Sequence, residues 1–265
     1  FYSDDGSTAL EVALKMAFEF ARRTGRSRAP RFLSLDGAYH GDTIGATSLG
    51  HIDLFHKTYG GLLFKSDKVM SPACYRCPFN RARPERADAR TTRKCQWECV
   101  GKVESQLKRR KYAAMVVEPR VQGAAGMVMH PEGWLKRVSQ AVIASGALMI
   151  ADEVMTGFGR TGEVFAGRKE KVVPDFLCLA KGLTGGYLPM AATLTTQSVY
   201  DVFLGEYEEF KTFFHGHSYT GNQLGAAVAL ASWELLHQSK AKVRRRAMER
   251  VLARELDSLW ALAAV

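Results

Sequence analysis

The sequence lacks long hydrophobic runs: none approaches the roughly 20 apolar residues that a membrane-spanning helix needs. Its opening residues, Phe1-Tyr-Ser-Asp-Asp5, lack the basic and apolar parts of a secretory signal peptide. We therefore expect a protein of the reducing cytoplasm with no membrane partner. An initiator methionine is also absent, and the first residues are typical of the end of a buried strand, so we expect a fragment of a longer protein.

Zinc-finger and RNA-recognition motifs are absent as well, although the formal net charge is +10. The basic residues form separate groups at 22–31, 81–94, 108–111 and 244–250, and we expect the last two groups to lie on helix faces. We interpret this charge as solvated surface that also attracts an anionic cofactor. No nucleic-acid partner is expected.

Short apolar strands alternate with amphipathic helices along the chain. We predict strands at 31–36, 113–118, 147–152, 175–180 and 190–195, and helices at 7–23, 134–145, 222–236 and 240–262. Ser7 is the predicted N-cap of the first helix. The alternation predicts an α/β fold with a mostly parallel sheet flanked by helices. Ligands of such sheets bind at the carboxyl ends of strands and at helix N-termini.

Two of the predicted strand ends carry reactive side chains. Asp152 closes an apolar strand and precedes a glycine-rich turn, where an unpartnered carboxylate would be costly. Its alternative role is to cap the loop. Lys181 follows the strand at 175–180, where desolvation would favour a neutral, nucleophilic amine. Its alternative is a lysine that extends its amine into solvent.

The start of the first helix supplies a third element. Gly6 and Ser7 lie where free backbone amides and the helix dipole suit a phosphate group. A phosphate site, a carboxylate and a lysine at one sheet edge are the groups that pyridoxal 5'-phosphate requires. Tyr39 follows another strand and is placed to stack on the cofactor ring, with ordinary packing as the alternative.

These residues lie in segments that resemble the class III aminotransferases. The most specific are Asp152-Glu-Val-Met-Thr-Gly-Phe-Gly-Arg-Thr-Gly162 and Cys178-Leu-Ala-Lys-Gly-Leu-Thr-Gly-Gly186, supported by 5–15, 39–43 and 118–122. The resemblance extends from Phe1 to about Ser232 and implies the aspartate-aminotransferase-like PLP fold type I. It implies a cofactor-binding large domain at 1–236 that is incomplete at its N-terminus. Residues 237–265 would form a helix leading toward a truncated C-terminal small domain.

The same resemblance implies a role for each site residue. Gly6 and Ser7 would bind the phosphate, Tyr39 would stack on the ring, and Asp152 would pair with the ring nitrogen. Lys181 would hold the cofactor covalently and move a proton between the substrate carbon and the cofactor. Tyr39 and Lys181 would also contact the substrate.

Three further features follow from the resemblance alone. Gly216 and Ser218 resemble a loop that reaches the phosphate of the neighbouring subunit, which implies a homodimer with shared active sites, and Gly216 would also approach the substrate. Glu118 and Gln122 resemble a segment near the cofactor.

Within the family, the segments 1–16, 188–196 and 213–222 are most similar to members that act in biotin synthesis. They imply amino transfer to 8-amino-7-oxononanoate, giving 7,8-diaminononanoate. Many relatives have Pro-Thr where this chain has His217-Ser218, which leaves S-adenosylmethionine and lysine both open as donors. Two alternatives are a class III enzyme acting on an ω-amino acid or diamine, such as 4-aminobutyrate or acetylornithine, and an inactive scaffold.

Four of the five cysteines fall in an irregular insertion at about 66–99. The pairs Cys74-Tyr-Arg-Cys77 and Cys95-Gln-Trp-Glu-Cys99 have a spacing that suits a structural zinc or an iron–sulfur cluster. Similar segments occur in class III relatives without a metal that the resemblance assigns. We therefore favour reduced thiols and predict no metal.

Overall fold

A computed structural model describes residues 1–82 and 87–262. The strands are β1 (Tyr2–Ser3), β2 (Phe32–Leu35), β3 (Asp67–Val69), β4 (Ala114–Val117), β5 (Val121–Gln122), β6 (Val128–Met129), β7 (Leu148–Asp152), β8 (Phe176–Leu179) and β9 (Ala191–Thr195). The α-helices are α1 (Gly6–Arg23), α2 (Ile44–Leu49), α3 (Asp53–His56), α4 (Glu98–Arg109), α5 (Trp134–Ser145), α6 (Gln197–Tyr200), α7 (Gln223–His237) and α8 (Ser239–Leu256).

The main sheet has seven strands in the order β1-β9-β8-β7-β4-β2-β3. Neighbours from β8 to β3 are parallel, whereas β9 is antiparallel to both β8 and β1. This confirms the predicted mostly parallel, mixed sheet. Because β1 reverses the direction of β9, its carboxyl end lies at the same edge as those of β8, β7, β4 and β2. The connection from β1 into α1 therefore starts at the edge where ligands of such sheets bind.

Hydrophobic cores cover both faces of the sheet. On one face, α1 packs Leu10 and Leu14 against a cluster that includes Ile150 and Phe176. On the other face, α4 and α5 pack around Trp134. All residues of β2, β4 and β7 are buried, as expected for parallel strands covered on two sides. The cores thus fix the strand ends that carry the predicted site.

The boundaries of the predicted strands and helices agree with the structure except near two helix termini. The insertion predicted to be irregular was partly wrong, because β3 (Asp67–Val69) lies inside it and pairs with β2. Asp5, not Ser7, caps α1: its carboxylate accepts a hydrogen bond from Thr8 N at 3.0 Å, and Thr8 Oγ1 accepts one from Asp5 N at 3.0 Å. The last helix, predicted over 240–262, ends at Leu256 and continues as a 3₁₀ turn over Asp257–Ala261. Residues 83–86 of the predicted insertion and 263–265 of the predicted C-terminal segment lie outside the described residues. Within the described ranges, no helix is long and apolar enough to cross a bilayer.

Candidate active site

Asp152 lies at the carboxyl end of β7 and is 5% exposed. Its Oδ2 is 2.8 Å from His40 Nδ1, and its Oδ1 accepts a hydrogen bond from Val154 N at 3.1 Å. Both oxygens therefore have partners, which offsets the cost of enclosing a carboxylate. The interpretation of Asp152 as a simple loop cap is too narrow, because one of its partners is a titratable side chain 112 residues away in the sequence.

The His40 ring is fully enclosed between strand ends. Burial alone would lower the pKa of His40, but the hydrogen bond with Asp152 and the charges of Asp152 and Glu118 outweigh burial and raise it. Its second nitrogen, Nε2, is buried and has no hydrogen-bond partner among the described residues. His40 is therefore a buried group whose protonation depends on the neighbouring carboxylates.

Glu118 follows β4 and joins two turns of the site. Its carboxylate accepts hydrogen bonds from Tyr39 N at 3.2 Å and from Gly123 N at 2.9 Å. Burial raises the pKa of Glu118 to about 7, and the charge of Asp152 acts in the same direction, while His40 and the two amides oppose it. Glu118 thus fixes the backbone of the Tyr39 turn and can change charge near neutral pH.

Tyr39 is half-buried, and its hydroxyl donates a hydrogen bond to Asp42 Oδ2 at 2.7 Å. Its ring stacks against His56 at a centroid distance of 6.3 Å and meets Phe55 edge-on at 6.0 Å. Burial raises the pKa of Tyr39 to about 12, with a further increase from the bond to Asp42 and its charge. Tyr39 is therefore a neutral phenol held in a fixed orientation.

The N-terminus of α1 packs directly on the same turn. Ser7 Oγ accepts a hydrogen bond from Asp42 N at 3.2 Å, which leaves the hydroxyl proton free to donate. Gly41 has a φ of +123°, and a Cβ there would lie 2.0 Å from Ser7 Oγ, so only glycine fits. A Cβ on Gly6 would lie 2.6 Å from a methyl of Val154. The predicted phosphate site therefore adjoins both the Tyr39 turn and the Asp152 strand end.

Lys181 lies at the same sheet edge but has a different environment. Asp152 pairs in register with Cys178, and Lys181 begins a 3₁₀ turn shortly after it with a φ of +47°, an unusual backbone conformation for a lysine. The side chain is exposed in a cleft of about 460 Å³ lined also by Phe158, Arg160 and Arg245. Within the described residues, its amine makes no hydrogen bond to Asp152. The structure thus places Lys181 on the neighbouring strand end without joining it to Asp152.

Gly216 and Ser218 are exposed in a segment that lies along β1. His217 Nδ1 is 3.6 Å from Asp4 Oδ2, and Thr220 Oγ1 donates a hydrogen bond to the carbonyl of Tyr2 at 3.2 Å. The segment therefore lies near the start of α1 in its own chain. Its predicted contact with a neighbouring subunit stays a prediction.

Sequence reasoning missed His40 as a site residue. Its position directly after Tyr39, in a turn between a buried strand and a helix, was the available signal. Glu118 was placed near the cofactor, but its hydrogen bonds to two turns were not foreseen. Asp42 was also missed, since its contacts with Ser7 and Tyr39 become visible only once the turn is folded.

The four cysteines of the insertion line one small cavity, together with Arg93 and Trp97. Burial raises the pKa of the Cys74 thiol to about 11 and that of Cys99 to about 12. Among the described residues, no group of three or more histidine, cysteine, aspartate or glutamate side chains is arranged to hold a metal ion. Burial therefore favours the protonated thiols of Cys74 and Cys99.

Comparison with known proteins places this geometry in a family. The sequence profile of the class III aminotransferases matches residues 1–264. The adenosylmethionine-8-amino-7-oxononanoate aminotransferase of Geobacter sulfurreducens is 52% identical over 242 residues, which cover 91% of this chain and 52% of that protein. The chain thus spans about half the length of the curated relatives it matches.

Solved structures agree with this placement. The crystal structure of the enzyme of the same name from Methanocaldococcus jannaschii has a TM-score of 0.87 and 37% identity, covering 99% of this chain and 56% of that one. An amine transaminase from an uncultivated Pseudomonas species, solved in its PLP-bound form, has a TM-score of 0.80 and 36% identity, covering 90% of this chain and 52% of that one. The family uses pyridoxal phosphate. This chain belongs to the class III aminotransferase family.

Proposed function

We propose that the protein is a transaminase that transfers an amino group to 8-amino-7-oxononanoate and gives 7,8-diaminononanoate. The observation that carries the proposal is the junction of Asp152, the Tyr39 turn and the N-terminus of α1 at one sheet edge, in a chain 52% identical to a relative named for that substrate. The names of such relatives favour S-adenosylmethionine as the donor, with lysine as the alternative.

The residues present fit pyridoxal phosphate. The amides of Gly6 and Ser7 have no backbone acceptor within the described chain, because they lie in the first turn of α1, and the Asp5 side chain binds Thr8 N instead. Together with the Ser7 hydroxyl they supply donors for a phosphate. Asp152 offers a buried carboxylate that is already oriented by His40 and Val154 N. An anion site and an oriented carboxylate are what the two ends of this cofactor require.

When bound, pyridoxal phosphate supplies an electron sink for the carbanion formed at the amino-bearing carbon. Asp152 would accept a hydrogen bond from the ring nitrogen and stabilise its protonated form. Tyr39, neutral because burial raises its pKa to about 12, would offer a flat apolar face and contact the substrate.

Lys181 would bind the cofactor covalently through Nζ and would move the proton at the substrate carbon. Two neighbouring cations, Arg160 and Arg245, line its cleft.

We further propose a homodimer in which the segment with Gly216 and Ser218 of each subunit completes the phosphate site of the other. Its support is the exposure of both residues. In such a dimer Gly216 would also approach the substrate.

The test is a donor panel with 8-amino-7-oxononanoate as acceptor and 7,8-diaminononanoate detected by mass spectrometry. We expect product with S-adenosylmethionine or lysine, and visible absorption from bound cofactor that Lys181→Ala abolishes. A Lys171→Ala variant, which removes an exposed lysine outside the site, is the matched control. Cofactor binding without this product would refute the substrate assignment.

A second candidate is an amine or ω-amino acid transaminase of the same family. The observation that favours it is the TM-score of 0.80 to the Pseudomonas amine transaminase. The same assay separates the two candidate functions when it includes 4-aminobutyrate and acetylornithine as donors, with pyruvate and 2-oxoglutarate as acceptors. Faster turnover of these donor–acceptor pairs than of 8-amino-7-oxononanoate would support the second candidate.

A further inference from the structure

Two half-buried histidines join the segment that carries Ser218 to the N-terminal part of the chain. His215 Nδ1 lies 2.9 Å from Lys15 Nζ of α1, and His215 Nε2 lies 3.2 Å from His217 Nε2. On the far side of the second ring, His217 Nδ1 lies 3.6 Å from Asp4 Oδ2, directly before the cap of α1. The four side chains therefore form one continuous line of polar contacts.

These contacts determine which ring nitrogen of each histidine carries its proton. The Lys15 ammonium has donors and no acceptor, so His215 Nδ1 must accept, and the proton of the neutral ring lies on Nε2. His215 Nε2 then donates to His217 Nε2, which leaves the proton of His217 on Nδ1, facing the Asp4 carboxylate. Because the ammonium can only donate, no other assignment satisfies both hydrogen bonds.

A further proton on either ring would break this line. On His215 it would occupy Nδ1 and point at the Lys15 ammonium, and on His217 it would occupy Nε2 and point at the N–H of His215. Burial, followed by the charges of Lys15 and His217, lowers the pKa of His215 below its usual value, which favours the neutral ring. The line is therefore intact at neutral pH and is lost as the pH falls.

The other charged groups around the two rings have partners elsewhere. The Glu11 carboxylate of α1 opposes the lowered pKa of His215, but it accepts hydrogen bonds from two backbone amides of α2. The amine of Phe1 donates a hydrogen bond to a backbone carbonyl of β9. The charged side chains that flank the segment form two ion pairs, Arg23 with Glu19 and Lys211 with Glu209. Among the described residues, none of these charged groups makes a hydrogen bond or an ion pair with either imidazole.

The sequence at position 217 gives the line of contacts a purpose. Many relatives have proline where this chain has His217, and a proline ring fixes φ before the chain folds. Histidine leaves the backbone freer, so the segment needs contacts to hold it in one conformation. Within the described chain His217 N donates no hydrogen bond, so the backbone here is compatible with either residue.

We propose that Lys15, His215, His217 and Asp4 form a positioning relay that, while both imidazoles are neutral, holds segment 215–218 on α1 and so sets the position of the Ser218 hydroxyl for the cofactor phosphate. The last step rests on the proposed function, whereas the relay itself forms without the cofactor. None of the four is a catalytic residue, because each acts through the backbone of the segment.

Two substitutions test the relay from opposite sides. Lys15→Met removes the donor that fixes the protons but keeps a long apolar side chain over Phe213, whose ring centroid lies 5.5 Å from Lys15 Nζ. His217→Pro removes the titrating ring and supplies the restriction on φ that the relatives have. Lys108→Met is the matched control, because it removes the same charge from an exposed position on α4. Circular dichroism of each variant establishes that it is folded.

The first measurement is nitrogen NMR of isotope-labelled histidine in the cofactor-free protein. At about pH 8 we expect His215 to carry its proton on Nε2 and His217 to carry its proton on Nδ1. The second assignment is the more diagnostic, because a free imidazole favours the proton on Nε2. Lys15→Met should raise the pKa of His215, and Lys108→Met should leave it unchanged.

The second measurement is the dissociation constant of pyridoxal phosphate at about pH 8 and about pH 5.5. We expect the wild type and His217→Pro to agree within about twofold at the higher pH, and the wild type to be about tenfold weaker than His217→Pro at the lower pH, the effect of losing one hydrogen bond to a charged group. Titration of the cofactor phosphate affects both proteins alike and cancels in this ratio. Lys15→Met should be about tenfold weaker than the wild type only at the higher pH, and the control should match the wild type at both.

The two measurements fail in different ways. A His217 proton on Nε2, or a pKa of His215 that Lys15→Met leaves unchanged, would refute the relay whatever the cofactor does. Cofactor affinities whose ratio between wild type and His217→Pro is the same at both pH values would refute the positioning role and leave the proposed function intact. A wild type that binds no cofactor would instead refute the proposed function, while NMR still decides the relay. Should His217→Pro not fold, Lys15→Met decides, because an affinity equal to that of the wild type at the higher pH would overturn the positioning role.

Discussion

Replacement of Glu118 by glutamine should change how the stability of the protein depends on pH. Glu118 is 5% exposed, and burial raises its pKa from 4.5 to about 7. A raised pKa in the folded state means that the folded protein binds this proton more tightly than the unfolded chain. The resulting stabilisation is fully present below about pH 4.5 and is lost as the pH rises through about 7.

The shift sets the size of the effect. A change from 4.5 to about 7 corresponds to about 3 kcal/mol of unfolding free energy, at about 1.4 kcal/mol per pKa unit. Glutamine does not titrate and should not lose this amount. Its NH₂ group accepts no hydrogen bond, so one of the two bonds that Tyr39 N and Gly123 N donate to the carboxylate oxygens is lost, which costs about 1 kcal/mol at every pH. The pH dependence of the difference is therefore the quantity to measure.

Urea unfolding of the cofactor-free protein between about pH 5 and about pH 8 measures this difference. We expect Glu118→Gln to gain about 2.5 kcal/mol relative to the wild type across that interval, because part of the stabilisation is already lost at pH 5. The pKa of His40 is also raised, so the stability that His40 contributes is likewise lost as the pH rises. The Glu118 charge is one cause of that raised pKa, so Glu118→Gln loses less of this stability than the wild type, which adds to the expected difference. Glu132→Gln, at an exposed carboxylate, is the control and should show a constant difference. A constant difference for Glu118→Gln as well would refute the assignment of a buried, proton-binding carboxyl.

Gly41→Ala should destabilise the protein by about 2 kcal/mol or more, because φ at this position is +123° and the new Cβ would lie 2.0 Å from Ser7 Oγ. Thermal unfolding measures the loss of stability, and a loss below about 0.5 kcal/mol would contradict this expectation. Asp42→Asn should lower the pKa of Tyr39 from about 12 toward 10, because it removes a negatively charged hydrogen-bond partner. Ultraviolet titration of the phenol measures this pKa. A pKa that stays near 12 would mean that burial alone raises it, and would contradict a contribution from Asp42. Alkylation at mildly alkaline pH should modify the half-exposed thiols well before the buried ones, as peptide mapping would show. The half-exposed thiols are Cys77 and Cys95, and the buried ones are Cys74, Cys99 and Cys178. Equal rates of modification would contradict the described burial.

The sheet could be predicted because its strands are buried on both faces and therefore appear as short apolar runs. Phe32–Leu35 and Leu148–Asp152 are examples whose predicted bounds differ from the observed ones by at most one residue at each end. The N-cap of α1 was wrong because Asp5 and Ser7 are both capable caps by residue type. Tertiary structure decides between them: Ser7 Oγ binds Asp42 N, and Asp5 forms a reciprocal pair with Thr8.

The site was only partly predictable. The rule that ligands bind at the carboxyl ends of parallel strands identified Asp152 and Lys181 without knowledge of strand order. It could not identify His40, because the contact with Asp152 requires β4 to lie between β2 and β7, and sequence patterns do not give that order. The direction of the Lys181 side chain was likewise unpredictable, since it depends on a turn with positive φ and on where α7 and α8 pack.

Three buried carboxylates occupy this edge of the sheet, and their partners distinguish their roles. Among the residues that the structure describes, Glu153 accepts hydrogen bonds only from the amides of Ala166 and Gly167, and Glu118 only from those of Tyr39 and Gly123. Each of these two carboxylates holds loop backbone in place. Asp152 alone has a titratable side chain as a partner and lies beside Gly6 through its neighbour Val154. A carboxylate that only supported loops would need no imidazole behind it, so the contact with His40 distinguishes Asp152 from the two carboxylates that hold loop backbone.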